Sequence, residues 1–147
     1  MTVTIASILS RKGAVIWSVA PEATVYEAIA LMAEKGVGAM LVVSGGQLAG
    51  IVSERDYARK VMLMGRSSKD TMVRDIMTSK VVTATPEHTV DDCMRIVTHN
   101  HIRHLPVLDG DKLVGIVSIG DLVNSIIDAQ AHTIDQLNTY ISGNYPA

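Results

Sequence analysis

The sequence predicts a mixed α/β (α+β) fold of two pseudo-symmetric repeats, each a small three-stranded sheet packed with two helices, joined face to face. Three observations carry this prediction. The segment Gly-Ile-Val-Ser-x-x-Asp occurs twice, at residues 50–56 and 115–121. Each copy joins a β-branched apolar pair to a helical pattern. Pro86 lies 65 residues after Pro21, and this spacing carries the surrounding pattern without a gap as far as the second motif.

Periodicity and turn residues predict the elements of the first repeat. After Thr24, apolar residues recur at helical spacing up to Lys35, and Gly36 is placed to end that helix. The continuous apolar run at residues 39–43 is typical of a strand buried on both faces. In chain order, we expect a short helix at residues 5–9, a strand at 15–17, a helix at 25–35, a hairpin of strands at 39–43 and 48–52, and a helix from Ser53 to about Met64.

The second repeat follows the same order, with residues 73–77 in the place of the opening helix and residues 81–83 in the place of the opening strand. The opening helices lie 68 residues apart, so the first repeat has three extra residues around Gly13. We therefore divide the chain into a first repeat (1–66), a second repeat (67–132) and a tail (133–147) with a possible short helix. Each half is too small to bury both faces of its sheet alone, so the halves should pack together and bring the two motifs to one cleft.

The repeated motif has two interpretations. Ser53 and Ser118 fall at the N-cap of a helix, and Asp56 and Asp121 fall in its first turn, near the positive end of the helix dipole. A hydroxyl, free backbone N–H groups and a carboxylate held together can bind a phosphate and a sugar diol. The alternative is a capping box, which starts a helix and binds nothing. The motif alone leaves both open.

Composition narrows the classes of partner. The net charge of −2 argues against a nucleic-acid-binding surface, and aromatic residues make up only 3% of the chain. A single cysteine, Cys93, cannot form an internal disulfide, which fits a reducing compartment. The first residues lack the pattern of a signal peptide, and no apolar run approaches the roughly 20 residues of a membrane span. We expect a soluble cytoplasmic protein with no nucleic-acid or membrane partner.

The chain resembles a tandem pair of cystathionine-β-synthase-type (CBS) domains, together called a Bateman module. The paired motif carries the resemblance, with residues 102–107 ahead of the second hairpin and residues 73–78 at the second entry; residues 53–61 and 65–69 are similar to stand-alone single-module proteins. The resemblance implies a non-enzymatic signal-transduction module, with energy sensing as an analogy. Its expected ligand is an adenosine nucleotide, AMP first, then ADP, ATP, NAD or S-adenosylmethionine, with no metal.

The resemblance also implies roles for individual residues. The two aspartates would accept hydrogen bonds from the ribose hydroxyls. Phosphate oxygens would meet the two serines and the helix-start N–H groups, that of Gly120 included. Four residues would flank the adenine ring: Ser18, Met40, Thr83 and Leu105.

The ligand sites expected at the two motifs should not be equivalent. Arg103 and His104 resemble a basic pair that meets phosphates in some members of the family. The matching residues of the first repeat are Gly38 and Ala39, which carry no charge. Arg55 and Lys60 are candidates to compensate.

Apolar side chains on the helices that follow the two motifs exceed what a two-half core needs. These are Val61, Met62, Val123, Ile126 and Ile127. We therefore expect a homodimer, in which a two-fold axis buries them.

Other functional interpretations of the sequence have less support. His88, His99, His101 and His104 suggest a metal site, but their rings should diverge and no cysteine joins them at ligand spacing. Cys93 is expected to be a buried small residue rather than a nucleophile, since no base is implied beside it. A phosphate-transferring enzyme would need a phosphate loop that the chain lacks. A structural dimerisation module without a ligand remains the main alternative.

Overall fold

The computed structural model describes residues 3–13 and 15–141, except for the side chain of Tyr140. Its helices are α1 (Ile5–Lys12), α2 (Val25–Lys35), α3 (Glu54–Tyr57), α4 (Val90–Asn100) and α5 (Ile119–Ile141). Its strands are β1 (Ser18–Val19), β2 (Ala39–Ser44), β3 (Gln47–Ser53), β4 (His104–Asp109) and β5 (Lys112–Ser118). The predicted mixed fold of two repeated units is confirmed.

Each repeat is built on an antiparallel hairpin, β2–β3 in the first and β4–β5 in the second. Both hairpins carry an irregularity in register at matching places, between Val42 and Val43 and between Val107 and Leu108. In the first repeat, β1 pairs in parallel with β2 and makes the sheet three-stranded. In the second sheet the third strand is reduced to a single parallel bridge between Ala84 and Val107.

Two predicted strands were misplaced. Residues 15–17 are not a strand, because pairing with β2 starts at Ser18, and the Val15 side chain is 65% exposed. Trp17 lies outside the sheet, with the Lys35 ammonium 4.2 Å from its ring centre. Residues 81–83 also lack strand pairing, which begins only at Ala84. The predicted helix at residues 73–77 is a single 3-10 turn at Val73–Asp75.

Each hydrophobic core contains the opening segment of the other repeat. The first core, built on α2, β2 and β3, includes Val73 and Ile76 from the start of the second repeat. The second core, built on α4, β4 and β5, includes Ile5 and Ile8 from α1. All four of these side chains are at most 5% exposed. The two repeats therefore exchange their opening segments instead of folding as self-contained units.

Matching backbone hydrogen bonds anchor the exchanged segments. The Ile5 and Ala6 N–H groups donate to the carbonyls of His88 and Pro86, at 2.9 and 3.0 Å. In the other half, the Val73 and Arg74 N–H groups donate to the carbonyls of Ala23 and Pro21, at 2.8 and 3.0 Å. The two prolines thus accept equivalent bonds, which explains why the residues around them repeat.

The glycine that opens each Gly-Ile-Val-Ser-x-x-Asp motif makes room for the exchanged segment. A Cβ atom on Gly50 would lie 2.7 Å from the Thr78 carbonyl oxygen and 2.8 Å from the Met77 sulfur. A Cβ atom on Gly115 would lie 2.6 Å from the Leu9 Cδ2 atom. Part of the motif is therefore required by packing between the repeats, independently of any ligand.

The helices after the two motifs differ. Helix α3 widens after one turn into a π-helical segment, Ala58–Met62, in which the Leu63 N–H donates to the Ala58 carbonyl. Helix α5 instead runs unbroken to Ile141, so the possible short helix of the tail is the continuation of α5. The rest of the predicted tail, residues 142–147, lies outside the described residues.

Replacing either motif glycine by alanine tests the exchange. We expect Gly50→Ala to destabilise the protein by about 1–3 kcal/mol, because the new methyl group meets a backbone oxygen. Gly115→Ala should cost clearly less, because it meets only the end of the flexible Leu9 side chain. Denaturant unfolding of both variants measures the difference. Equal free energies of unfolding for the two variants would contradict this account of the contact at Gly50.

Candidate functional site

A cleft of about 380 Å³ opens where the first Ser-x-x-Asp turn meets the second repeat. One wall is the start of β2, the end of β3 and the start of α3. The other wall is formed by residues 78–82, which follow the exchanged segment of the second repeat, and by residues 101–104 at the start of β4. The lining residues are Gly38, Ala39, Ile51, Ser53, Glu54, Arg55, Asp56, Thr78, Lys80, Val81, Val82, His101, Ile102, Arg103 and His104. The cleft volume falls in the range of roughly 300–1,000 Å³ that is usual for small-molecule sites.

The first turn holds the Asp56 carboxylate in a fixed orientation. Its Oδ2 atom accepts hydrogen bonds from the Ser53 N–H at 3.0 Å and the Ser53 hydroxyl at 3.1 Å. In return, the Asp56 N–H donates to Ser53 Oγ at 3.1 Å. Lys60, one turn later, lies 3.2 Å from Oδ1 and also donates to the Ile76 carbonyl. The motif is therefore a capping box, and its aspartate is positioned before any ligand arrives.

The second turn has the same capping box but a different lysine. The Asp121 Oδ2 atom accepts from the Ser118 N–H at 2.8 Å, and the Asp121 N–H donates to Ser118 Oγ. Lys12, at the end of α1, donates to the same Oδ2 atom at 2.6 Å and to the Ile116 carbonyl at 2.9 Å. Burial raises the pKa of Asp121, but the hydrogen bonds from Lys12 and Ser118 outweigh it and leave the pKa below its ordinary value.

His104 lies between the two halves. A Cβ atom on Gly38 would lie 3.8 Å from the His104 ring, so the starts of β2 and β4 face each other there. Burial lowers the pKa of His104 below its ordinary value of 6.5, and the positive charges of Lys12 and Arg103 lower it further against the opposing effect of Asp121. At neutral pH this ring is therefore uncharged, so it can offer a ligand a hydrogen bond but no charge.

Three cations line the first cleft without a described ion pair. Arg55, Lys80 and Arg103 all border the cavity and are exposed, and within residues 3–13 and 15–141 none of them forms a salt bridge. The acidic residues on the same walls are Glu54 and Asp56, of which Asp56 already pairs with Lys60. The surplus of positive charge suits an anionic ligand.

The structure brings together half of the residues predicted for the site. Seven line the cleft: Gly38, Ala39, Ser53, Arg55, Asp56, Arg103 and His104. Met40 and Leu105 are instead fully buried in the first and second cores. Ser18 is exposed and Thr83 half-buried, and neither lines this cavity. The remaining three, Ser118, Gly120 and Asp121, belong to the second turn, beside Lys12.

Sequence reasoning missed the wall formed by Thr78, Lys80, Val81 and Val82. Thr78 exchanges two backbone hydrogen bonds with Ile51, and this bridge holds the following residues against the first turn. One signal was available in the sequence. Lys80 matches Lys12 at the 68-residue spacing of the opening segments. The spacing shows that the two lysines are equivalent, but only the structure shows that each lies near a motif.

His88, His101 and Cys93 have structural roles. The described residues contain no group of three metal-ligating side chains. His88 Nδ1 accepts a hydrogen bond from the Thr85 N–H at 2.8 Å, and His101 ends α4 in the left-handed conformation, with φ of 53°. Cys93 is fully buried in the second core, and burial raises the pKa of its thiol to about 11. The thiol is therefore protonated at neutral pH, and Cys93 is the buried small residue that the sequence predicted.

The exchanged repeats and paired turns match a known family. The description "CBS domain" fits residues 6–63 and again residues 73–128. The chain is a tandem CBS-domain protein. This confirms the predicted resemblance. Among the described residues, no helix combines the length and the apolar character that a bilayer crossing requires.

Relatives of this CBS protein cover most of its length. The CBS domain-containing protein CBSX3, mitochondrial, of Arabidopsis thaliana is 44% identical over 92% of this chain and 68% of its own. A solved protein with CBS domains from Burkholderia ambifaria MC40-6 is 55% identical, with a TM-score of 0.83 over 86% of this chain and 96% of its own. The CBS domain pair of MJ0100, solved with 5-methylthioadenosine and S-adenosyl-L-methionine, shares the fold at 22% identity and a TM-score of 0.77 over 88% of this chain and 99% of its own.

The lowered pKa of His104 predicts a pH dependence. Unfolded His104 binds its proton near pH 6.5, whereas the folded protein binds it only at lower pH, so the unfolded state holds more protons just below pH 6.5. The free energy of unfolding should therefore fall as the pH drops from about 7.5 to 5.5.

Denaturant unfolding at both pH values should show a smaller loss of unfolding free energy for His104→Gln than for the parent. His132→Gln, on the exposed face of α5, controls for removing a histidine. Parallel losses in parent and His104→Gln would refute the assignment.

Proposed function

We propose that this CBS protein is a regulatory module that binds an adenosine-containing nucleotide in the cleft at Asp56. Ligand binding would order the cleft and alter the surface that a partner reads. The proposed role is signal transduction without catalysis. If the ligand is AMP or ATP, the protein would sense the energy status of the cell, by analogy with the family. The adenosine class draws support from the CBS domain pair of MJ0100, which was solved with two adenosine-containing molecules.

One observation carries the proposal. The capped Asp56 carboxylate lines one cavity with Arg55, Lys80 and Arg103, three cations that have no ion pair among the described residues. A nucleotide has a diol that a carboxylate can bind through two hydrogen bonds and a phosphate that cations attract. A cleft with only one of these features would suit a simpler ligand. AMP is therefore our first candidate, with ADP, ATP, NAD and S-adenosylmethionine behind it.

We propose unequal sites in the two halves. Both aspartates have a lysine beside them, but Lys12 lies 2.6 Å from Asp121 Oδ2 and Lys60 lies 3.2 Å from Asp56 Oδ1, so a ribose at Asp121 competes with the shorter contact. In the first half, Lys80 matches Lys12 in the sequence but has no described ion pair and remains available to a phosphate. We therefore expect the Asp56 cleft to fill first.

We also propose an oligomeric state, a cellular location and boundaries for the two repeats. Met62, Val123 and Ile127 are exposed, as a homodimer interface on the helices after the motifs requires, although Val61 is buried in the first core. We propose a homodimer in the cytoplasm, while noting that the name of the Arabidopsis relative places that protein in mitochondria. We retain repeats at residues 1–66 and 67–132 with a tail at 133–147.

The main alternative is an assembly module with an empty cleft. The capping boxes favour it, because they show that the motif has a local role in starting each helix. Searching for co-purified nucleotide after acid precipitation separates the two functions. Absence of nucleotide, together with no response to added AMP, ADP, ATP or NAD, would leave the assembly module.

Asp56→Asn should separate ligand binding from capping. A ligand of about 23 non-hydrogen atoms at roughly −0.3 kcal/mol each binds with a dissociation constant near 10 μM. At about 1 mM AMP this stabilises the fold by about 2.7 kcal/mol and raises the melting temperature by roughly 5–10 °C. Asp56→Asn should lose more than half of that rise, because the charged acceptor for the diol is gone.

Asp92→Asn is the matched control for this experiment. Asp92 forms the same capping box with Thr89 at the start of α4, but it does not line the cleft. It should keep the full AMP-induced rise in melting temperature. If both variants lose the rise equally, the effect of Asp56 is one of helix capping and not of ligand contact.

Removing a cation should discriminate between phosphorylated and unphosphorylated ligands. A charge-assisted hydrogen bond contributes about 1.5–3 kcal/mol. Lys80→Met and Arg103→Ala should therefore weaken AMP by about 10- to 150-fold in calorimetry, and adenosine by much less. Gly38→Ala is the control, since its new methyl group would meet only ordinary contacts at 3.5 Å or more. Equal losses for AMP and adenosine would remove the phosphate role of these residues.

A further inference from the structure

The outer face of α5 carries a row of exposed side chains, here called the α5 stripe. Five of its members are apolar, and they are between 38% and 80% exposed. The sixth, a glutamine, is also exposed. In chain order the stripe consists of Val123, Ile127, Gln130, Ile134, Leu137 and Ile141.

The α5 stripe has the spacing of a coiled-coil seam. Successive members are four, three, four, three and four residues apart, which is the alternation of a and d positions in a heptad. At 3.6 residues per turn, all six lie within about 40° of one line along the helix. Leu122 and Ser125, the buried residues of α5, lie roughly a quarter turn or more away from that line. Gln130 and Ile134 also border a groove of about 420 Å³ beside Val3 and Val90, so the stripe adjoins the second core along one side while its members remain exposed.

We infer that the α5 stripe pairs with the same stripe of a second copy of this chain, in a parallel two-stranded coiled coil. This gives the homodimer proposed above a specific contact, and it does not depend on nucleotide binding. A second copy is the occupant because a heptad seam is self-complementary. Each side chain meets its own equivalent across a two-fold axis.

The area of the stripe fits a dimer contact. Five half-exposed apolar side chains offer on the order of 100 Å² each, or roughly 500 Å² per chain. Two copies would bury about 1,000 Å², which is the lower limit for a specific interface. The seam is short for a free coiled coil. Its first turns are already held in place, however, because Leu122 is packed in the second core, so the cost of helix nucleation has been met.

Gln130 favours the parallel, in-register arrangement. It is the one polar member of the stripe and occupies a d position between Ile127 and Ile134. In a parallel pair the two Gln130 amides face each other, and each can donate to and accept from the other. In an antiparallel pair an a position would face Gln130 and leave a buried amide without a partner.

Cysteine cross-linking in the full chain tests the contact. Leu137→Cys places a thiol on the stripe, and Asp135→Cys places one on an exposed position outside it. The native Cys93 is fully buried, so it should not contribute. Under mild oxidation we expect Leu137→Cys to form a covalent dimer, because parallel d positions bring the two Cα atoms within the roughly 4.4–6.8 Å that a disulfide spans. Equal cross-linking of the two variants would overturn the proposal.

Sedimentation of the Ile134→Asn, Leu137→Asn double variant gives the second readout. Its dimer dissociation constant should rise at least tenfold over that of the parent, while Asp135→Asn should leave it unchanged. A parent with the mass of one chain at tens of micromolar, or a double variant that dimerises as well as the parent, would overturn the proposal. The rise in melting temperature with AMP is recorded on the same variant, so a failure of the stripe is distinguished from a failure of the cleft.

Discussion

The exchange of opening segments is the packing on which the rest of the structure depends. Ile5 and Ile8 complete the second core, and Val73 and Ile76 complete the first. Burying such a side chain contributes about 1.5–3 kcal/mol, so each small core gains a large share of its stability from the other repeat. Gly50 and Gly115 allow the close approach. Each core therefore depends on side chains of the other repeat, and this packing fixes the separation of the two Ser-x-x-Asp turns.

The exchange also makes the two turns unequal. The chain that leaves the bridge at Thr78 passes directly along the first turn and brings Lys80 to the cleft. The end of α1 brings Lys12 to the second turn, where it bonds Asp121. Asp56 already has Lys60 on its own helix, whereas the matching position of α5 is Ser125, a buried residue whose hydroxyl has no described partner. Two copies of one motif thus end with different electrostatic surroundings.

Local signals in the sequence predicted most helices and strands. They failed where an element is decided by a contact with residues distant in the sequence. Thr24 caps α2 and Gly36 ends it in the left-handed conformation, as expected, because both effects act within a few residues. The strands at residues 15–17 and 81–83 were misplaced, since their pairing is decided by partners in β2 and β4. The same distinction applies to the site. The motif predicted Ser53 and Asp56, and the missing basic pair of the first repeat suggested Arg55, whereas Lys80 enters the cleft through a contact that no local pattern encodes.

The capping box and the ligand site are compatible interpretations of the same residues. The caps at Thr24 and Thr89 show that this chain starts helices in the same way outside the Asp56 cleft. The cap at Ser53 differs in its surroundings, because it borders a cavity with three cations that have no described ion pair. With Glu54 and Asp56 on the same walls, the cations still outnumber the carboxylates, and this surplus favours an anion there. The cap fixes the carboxylate in advance, which reduces the entropy that a ligand loses on binding. Helix capping is therefore what makes Asp56 a suitable acceptor for a sugar diol.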